Sequence, residues 1–118
     1  MKLTQRNLKG LEYALLTDEI YSGWAGLNAR SYKKLKGLQK ENLRDNMSNL
    51  ELVLNMLAEV STTEISKKES PKGLTENIKV ARKGAAVAGN ARREIEEKTG
   101  KPAITGKNAK ELKLIGKK

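Results

Sequence analysis

The sequence predicts an all-α protein, a compact bundle of five or six helices that forms a single helical domain over residues 1–118. Three observations lead to this prediction. Leucines recur at helical spacing near the start of the chain, and a Ser-x-x-Glu capping box precedes its most apolar run. A long alanine-rich segment then runs without interruption to a glycine and a proline, as a helix does at its C-terminal end.

The first helix is expected over residues 3–20, where Leu8, Leu11, Leu15 and Leu16 share one face. Residues 22–28 contain two glycines and predict a bend, with Trp24 filling the core at that corner. A short basic helix over residues 29–38, ended by Gly37, and a further turn over 41–47 follow.

The capping box Ser48-x-x-Glu51 starts the next predicted helix, which runs over about residues 49–67. This helix is apolar nearly all round, so it is expected to be the central, buried one. Asn55 is its polar exception, either a satisfied buried amide or a contact that fixes the register. Residues 66–74 are rich in lysine, serine, proline and glycine and predict a linker.

A long basic helix is expected over about residues 75–99, with Thr75 as its cap and Gly100 as its C-terminal stop. Residues 101–118 form a C-terminal extension in this prediction, with a last short helix at about 108–115 and a frayed end.

Composition limits the functions open to the chain. Without cysteine there are no disulfides, thiolate zinc sites or cysteine nucleophiles, and without histidine the usual general base and metal ligand are missing. We therefore expect no enzyme activity, no cofactor and no metal. The N-terminus lacks an apolar signal-peptide core and no apolar run is long enough to span a membrane, which predicts a cytoplasmic protein.

Charge is distributed unevenly along the chain. The formal net charge is +10, yet residues 1–66 hold nine Lys/Arg against eight Asp/Glu, whereas residues 67–118 hold fifteen against six. Such asymmetry points to a polyanionic partner, with nucleic acid the first candidate. Two basic clusters are the candidate nucleic-acid contacts: Arg30, Lys33, Lys34, Lys36 and Lys40 in the first, and Lys79, Arg82, Lys83, Arg92 and Arg93 on the long helix. Solvated surface positions are the alternative for both.

A stripe of small residues on the long helix is the second candidate surface. Two mid-helix glycines cost about 1 kcal/mol each in helix propensity, which indicates that another backbone approaches closely there. The contact is expected either within the chain or across a dimer, and its members are Ile78, Ala81, Gly84, Ala85, Ala88, Gly89 and Ile95. The modest apolar content, 37%, also favours a homo-oligomer or docking on a domain missing from this chain.

Enzyme motifs are weak. Ser31-Tyr32-Lys33-Lys34 matches the Ser-x-x-Lys nucleophile motif by chance, because the companion motifs are absent. The acidic groups at residues 18–19 and 94–97 do not bring three magnesium ligands together, so a metal-dependent nuclease is only a remote alternative.

Eight stretches read together resemble a known family. They are LEYALLTDEIY (11–21), GWAGL (23–27), YKKLKGL (32–38), ENLRDNM (41–47), NLEL (49–52), MLAE (56–59), TTEI (62–65) and RREIEEKTGKP (92–102). In this order the chain resembles the C-terminal region of phage and prophage antirepressor proteins of the Bro type, and it is similar to part of DNA-damage-inducible protein D.

The resemblance implies a regulatory module of a phage or mobile element, without catalytic residues, that acts in transcription regulation or the DNA-damage response. In those proteins a Bro-type domain, usually regarded as DNA-binding, precedes this region. The partners expected from the resemblance are a phage repressor or a DNA-recombination protein, with direct DNA binding by the basic helices as the alternative.

Overall fold

The protein is all-helical, as the sequence predicts. The computed structural model describes residues 10–114, with side chains up to residue 112. These residues form five α-helices and one 3-10 turn in a compact body with a radius of gyration of 14.6 Å. The α-helices are α1 (Gly10–Ala25), α2 (Ala29–Leu35), α3 (Asn49–Glu69), α4 (Gly73–Thr99) and α5 (Ala109–Leu114), and the 3-10 turn is Arg44–Asn46.

Helix α1 is longer at its C-terminal end than the sequence indicates, and its predicted first residues, 3–9, lie outside the described part. It buries Leu16, Ile20 and Trp24, whereas Leu11 is 76% exposed. The bend predicted over residues 22–28 is present, but it begins at Gly26 and not at Gly23. Gly23 stays helical, and a Cβ there would collide with the Ala85 side chain of α4, so this glycine serves close packing rather than a turn. The helix ends instead at Gly26, where φ is +76°.

Helix α2 is shorter than predicted because the chain leaves the helix at Lys36 and Gly37 adopts φ +71°. Leu38 is buried, but Leu35 is 49% exposed, and Lys36 lies inside the protein in its place. The inner face of α2 is thus formed by Tyr32 and Lys36, which are four residues apart.

Helix α3 starts where the capping box predicts. The Ser48 side chain accepts a hydrogen bond from the Glu51 N–H at 3.1 Å, and the Glu51 carboxylate accepts one from the Ser48 N–H at 2.9 Å. One face packs on α1 and α4, but Val53, Met56 and Val60 are about half exposed. The prediction of a helix buried all round is therefore wrong, because α3 has neighbours on one side only.

Helix α4 is the longest element and lies against both α1 and α3. It begins at Gly73, so Thr75 lies inside the helix rather than at its cap, and the Lys72 N–H is bound by the Glu76 carboxylate at 2.8 Å. Because α3 continues to Glu69, the connection is three residues long instead of the linker predicted at 66–74. The helix ends at Gly100 as expected, with φ +70°.

The segment after α4 packs against the body of the protein. Ala103 and Leu112 are buried, and the Glu96 carboxylate accepts the Ala103 N–H at 2.8 Å. Residues 103–112 are therefore part of the folded domain rather than a loose extension; the frayed end predicted at residues 116–118 lies outside the described residues.

Candidate nucleic-acid interface

A cleft between α1 and α2 is lined by several basic residues. Its volume is about 730 Å³. The residues that line it are Tyr13, Ala14, Thr17 and Asp18 from α1, Ala29, Arg30, Lys33 and Lys34 from α2, and Leu38 and Gln39 beyond it. The cleft thus combines an apolar floor with three cations on the α2 side.

Two side-chain caps fix α2 in this position. The Asp18 carboxylate of α1 accepts the Ala29 N–H at 3.0 Å, and the Asn28 side chain accepts the Ser31 N–H at 2.9 Å. Helix N-termini leave such backbone N–H groups unpaired unless side chains bind them. The two bonds therefore start α2 and hold it against α1.

The cations of this cleft form no direct ion pair with any described carboxylate. Among the described residues, no carboxylate lies within 4.0 Å of the charged groups of Arg30, Lys33, Lys34 or Lys40. Glu41 has a lowered pKa, chiefly because its carboxylate accepts the Gln39 backbone N–H and more weakly because Lys33 is near. Positive charge therefore faces solvent along this edge of α2.

The C-terminal segment is tied to the end of α2. The Lys36 ammonium donates hydrogen bonds to the carbonyls of Thr105 at 2.8 Å and Lys107 at 2.7 Å. The Asn108 side chain donates in turn to the Lys36 carbonyl at 3.2 Å. These bonds bring the backbone of the exposed Lys107 next to the helix. We use the name basic surface for the cations of the cleft and its edge: Arg30, Lys33, Lys34 and Lys40.

Lys36 itself is buried, so its predicted contact with nucleic acid is wrong. Its side chain has no exposed area and forms a 2.9 Å ion pair with the equally buried Glu51. The same carboxylate accepts a hydrogen bond from the Tyr32 hydroxyl. Burial, followed by this bond and the charge of Glu51, raises the pKa of Tyr32. Lys36 is thus a structural residue that joins α2, the start of α3 and the C-terminal segment.

The basic residues of α4 are mostly engaged in contacts within the protein. Arg82 pairs with Glu19 at 3.2 Å, and Lys83 pairs with Glu69 at 2.7 Å. Arg92 binds the Trp24 and Ala25 carbonyls at the end of α1 as well as Glu96. Arg92 therefore holds α4 to α1 and is not placed to follow a phosphate backbone.

The other two predicted cations of α4 differ from these. Lys79 is exposed, beside a small pocket that also contains two carboxylates, while Arg93 is exposed and donates to the Asn90 side chain. The structure does not bring either of them to the cleft.

The small-residue stripe of α4 packs within the chain. Ala81, Ala85 and Ala88 have no exposed area. A Cβ at Gly84 would lie 2.6 Å from the Thr62 Cα of α3, and one at Gly89 would lie 3.0 Å from the Gly23 carbonyl oxygen of α1. Ile78 and Ile95 are half-buried and contact the same core. Because α1 and α3 cover this stripe, it is not open to a second copy of the chain.

A buried hydrogen bond joins Trp24 to Asn55 in the core. Trp24 is 2% exposed, as expected of a core side chain, and its indole N–H donates to the Asn55 side chain at 3.1 Å. Asn55 is therefore a satisfied buried amide that joins α3 to α1.

The described residues contain no helix both long and apolar enough to cross a membrane. Over the same residues, no three carboxylates come together in a way that would hold a metal ion.

Sequence reasoning found the cations of the cleft but missed its α1 wall. Thr17 and Asp18 follow Tyr13 by four and five residues on α1, and the sequence did not predict that these residues face α2. The available signal was the helical spacing of these residues, which places Tyr13 and Thr17 on one face.

Comparison of the chain with protein-family models, curated proteins and solved structures finds no significant match. The resemblance to Bro-type antirepressors and to DNA-damage-inducible protein D therefore remains a prediction.

Proposed function

We propose that this chain is a non-catalytic regulatory module that contacts nucleic acid through the basic surface. The observation that carries the proposal is the row of cations on α2 that form no direct ion pair with a described carboxylate, in contrast to the paired Arg82 and Lys83 of α4. A phosphate backbone releases counterions when such cations bind it, and this release supplies most of the non-specific affinity. The setting in a phage or mobile element, which the resemblance suggests, is part of the same proposal.

The test is a salt titration of binding to a fluorescently labelled oligonucleotide. We expect affinity to fall steeply with salt. The joint replacement of Arg30, Lys33 and Lys34 by glutamine is expected to lower the magnitude of the slope of log association constant against log salt concentration by about 2 to 3. The matched control replaces Arg82, Lys83 and Lys98 by glutamine, which also removes three positive charges, all from paired cations of α4. This control is expected to leave affinity nearly unchanged, because those cations are already paired. Equal losses in both variants would show that net charge, rather than the cleft, governs binding.

A second candidate function is protein binding, with a phage repressor or a recombination protein as the partner. The exposed apolar side chains favour it: Leu11 and Leu15 on α1, and Val53, Met56 and Val60 on α3. Absence of nucleic-acid binding even at low salt, together with capture of a partner that Val53→Ser plus Val60→Ser abolishes, would establish this function instead.

A further inference from the structure

The cleft between α1 and α2 is asymmetric in charge across its width. Three cations stand on the α2 wall, whereas the carboxylate of Asp18 stands on the α1 wall and is held there by the Ala29 N–H. The rest of the lining is mostly apolar and includes the half-buried Tyr13 of α1. A ligand that fits this cleft must therefore be anionic along one edge only and must bury flat, uncharged surface beside it.

Single-stranded nucleic acid has this asymmetry. Its phosphates lie along one edge, and its bases, when unstacked, offer an apolar face and amino groups on the other. A phosphate near Asp18 would be repelled, so the carboxylate favours phosphates on the α2 wall and base edges on the α1 wall. Adenine, cytosine and guanine each carry an amino group that donates hydrogen bonds to a carboxylate.

Duplex nucleic acid does not fit the cleft in this way. Its bases are stacked and paired inside the helix, so an apolar floor between two protein helices gains no contact with them. Duplex recognition by a helix requires that the helix project into the major groove. Here α2 has seven residues, about 10 Å in length, and one side of it forms the wall of a concavity.

An acidic amphipathic helix is the competing ligand for a groove of this kind. Where such a helix carries acidic residues on both flanks of its apolar stripe, one flank would face Asp18. The charge asymmetry of the cleft therefore favours the nucleic-acid strand.

We infer that the cleft between α1 and α2 is a binding site for single-stranded nucleic acid, with phosphates on Arg30, Lys33 and Lys34 and a base against Tyr13. The volume of about 730 Å³ lies within the ~300–1,000 Å³ range of small-ligand pockets, which suits unstacked bases rather than a whole duplex. This inference rests on the proposed function, because it names the kind of nucleic acid that the basic surface contacts.

The experiment compares a dA oligonucleotide of about ten nucleotides with a duplex of equal length, by fluorescence anisotropy at one low salt concentration. We expect the single strand to bind more tightly. Tyr13→Leu removes the ring but keeps apolar bulk, and is expected to weaken single-strand binding about fivefold or more without weakening duplex binding. Tyr13→Phe keeps the ring and is expected to bind as the unmodified protein does. Melting temperatures of both variants separate lost stacking from lost folding.

The possible outcomes distinguish this inference from the proposed function. Equal binding of single strand and duplex, with no effect of Tyr13→Leu, overturns the single-strand site and leaves the basic surface as a general polyanion contact. Binding of neither overturns both. If an amphipathic peptide with glutamates around a leucine stripe binds the cleft and the dA strand does not, the ligand is an acidic protein helix and the inference is wrong.

A further variant tests the role of Asp18. Asp18→Asn keeps an oxygen that accepts the Ala29 N–H but removes the charge. We expect it to bind dA and dT strands about equally, whereas the unmodified protein prefers dA, because the major-groove edge of adenine carries an amino donor and that of thymine carries none. An unchanged preference would overturn the assignment of base edges to the α1 wall.

Discussion

Replacing Lys36 is the most direct test of the buried ion pair. Lys36→Met keeps the length and apolar stem of the side chain but leaves the buried Glu51 carboxylate without its cation, and the Thr105 and Lys107 carbonyls without their donor. Removal of one partner from a buried pair typically costs about 3–5 kcal/mol, because a charge remains buried without compensation. A domain of this size is stable by only about 5–15 kcal/mol, so the loss is a large part of the total.

Thermal unfolding followed by circular dichroism measures this cost. With about 4 °C of melting temperature per kcal/mol, Lys36→Met is expected to melt about 12–20 °C below the unmodified protein. Lys34→Met is the matched control, since Lys34 is exposed and lies two positions earlier. It is expected to stay within about 0.5 kcal/mol of the unmodified protein.

Adding Glu51→Gln to Lys36→Met sharpens the test. The double variant has no buried charge left unpaired, and we expect it to regain part of the lost stability. A single variant that melts within about 2 °C of the unmodified protein would refute the argument, because Lys36 would then be exposed in solution as the sequence pattern suggested.

Three further predictions concern packing and pH. Gly84→Ala is expected to lower the free energy of unfolding by about 1–3 kcal/mol, because the added methyl group meets the backbone of α3 and overrides a gain of about 1 kcal/mol in helix propensity. Asn55→Leu leaves the Trp24 indole N–H buried without an acceptor, which costs about 1–3 kcal/mol in urea unfolding and is expected to change the tryptophan emission spectrum. The pKa of Glu96 is lowered, first by the Ala103 N–H, so its contribution to stability is present above its ordinary value of 4.5 and is lost as the pH falls through the lowered pKa. The protection factor of the Ala103 amide against hydrogen exchange is expected to fall over that acidic range.

Each of these has a result that contradicts it. Gly10→Ala, where an added Cβ meets nothing within 4 Å, is expected to be neutral, and equal effects of both glycine substitutions would refute the packing argument. An Asn55→Leu protein of unchanged stability would mean that the indole N–H finds another acceptor. A protection factor of the Ala103 amide that stays constant below pH 4.5, or that Glu96→Ala does not lower at neutral pH, would refute the role of the carboxylate.

The helices could be predicted from the sequence where a local signal determined them. Ser48 and Glu51 located the start of α3 to the residue, because the capping box is a contact between residues three apart. Gly100 located the end of α4 in the same way. Gly23 did not mark a turn, because a glycine is needed there for close packing against Ala85, which is far away in the sequence.

The candidate site could be predicted only in part. A count of charges cannot distinguish Lys36 from Lys33 or Lys34, although one is buried and the others line the cleft. The difference arises from the position of Glu51 and of the C-terminal segment, which no local pattern shows. The arrival of Lys107 beside α2 is likewise a tertiary contact across about seventy residues of chain.

The buried pair also has a consequence for how this sequence can change over evolutionary time. If a neutral residue replaces Lys36 while Glu51 is retained, or the reverse, the protein with that single substitution is several kcal/mol less stable. Substitutions at positions 36 and 51 should therefore occur together, whereas those at 33 and 34 should vary independently of both. Coupled variation at these two positions across an alignment of relatives would indicate the buried pair from sequences alone.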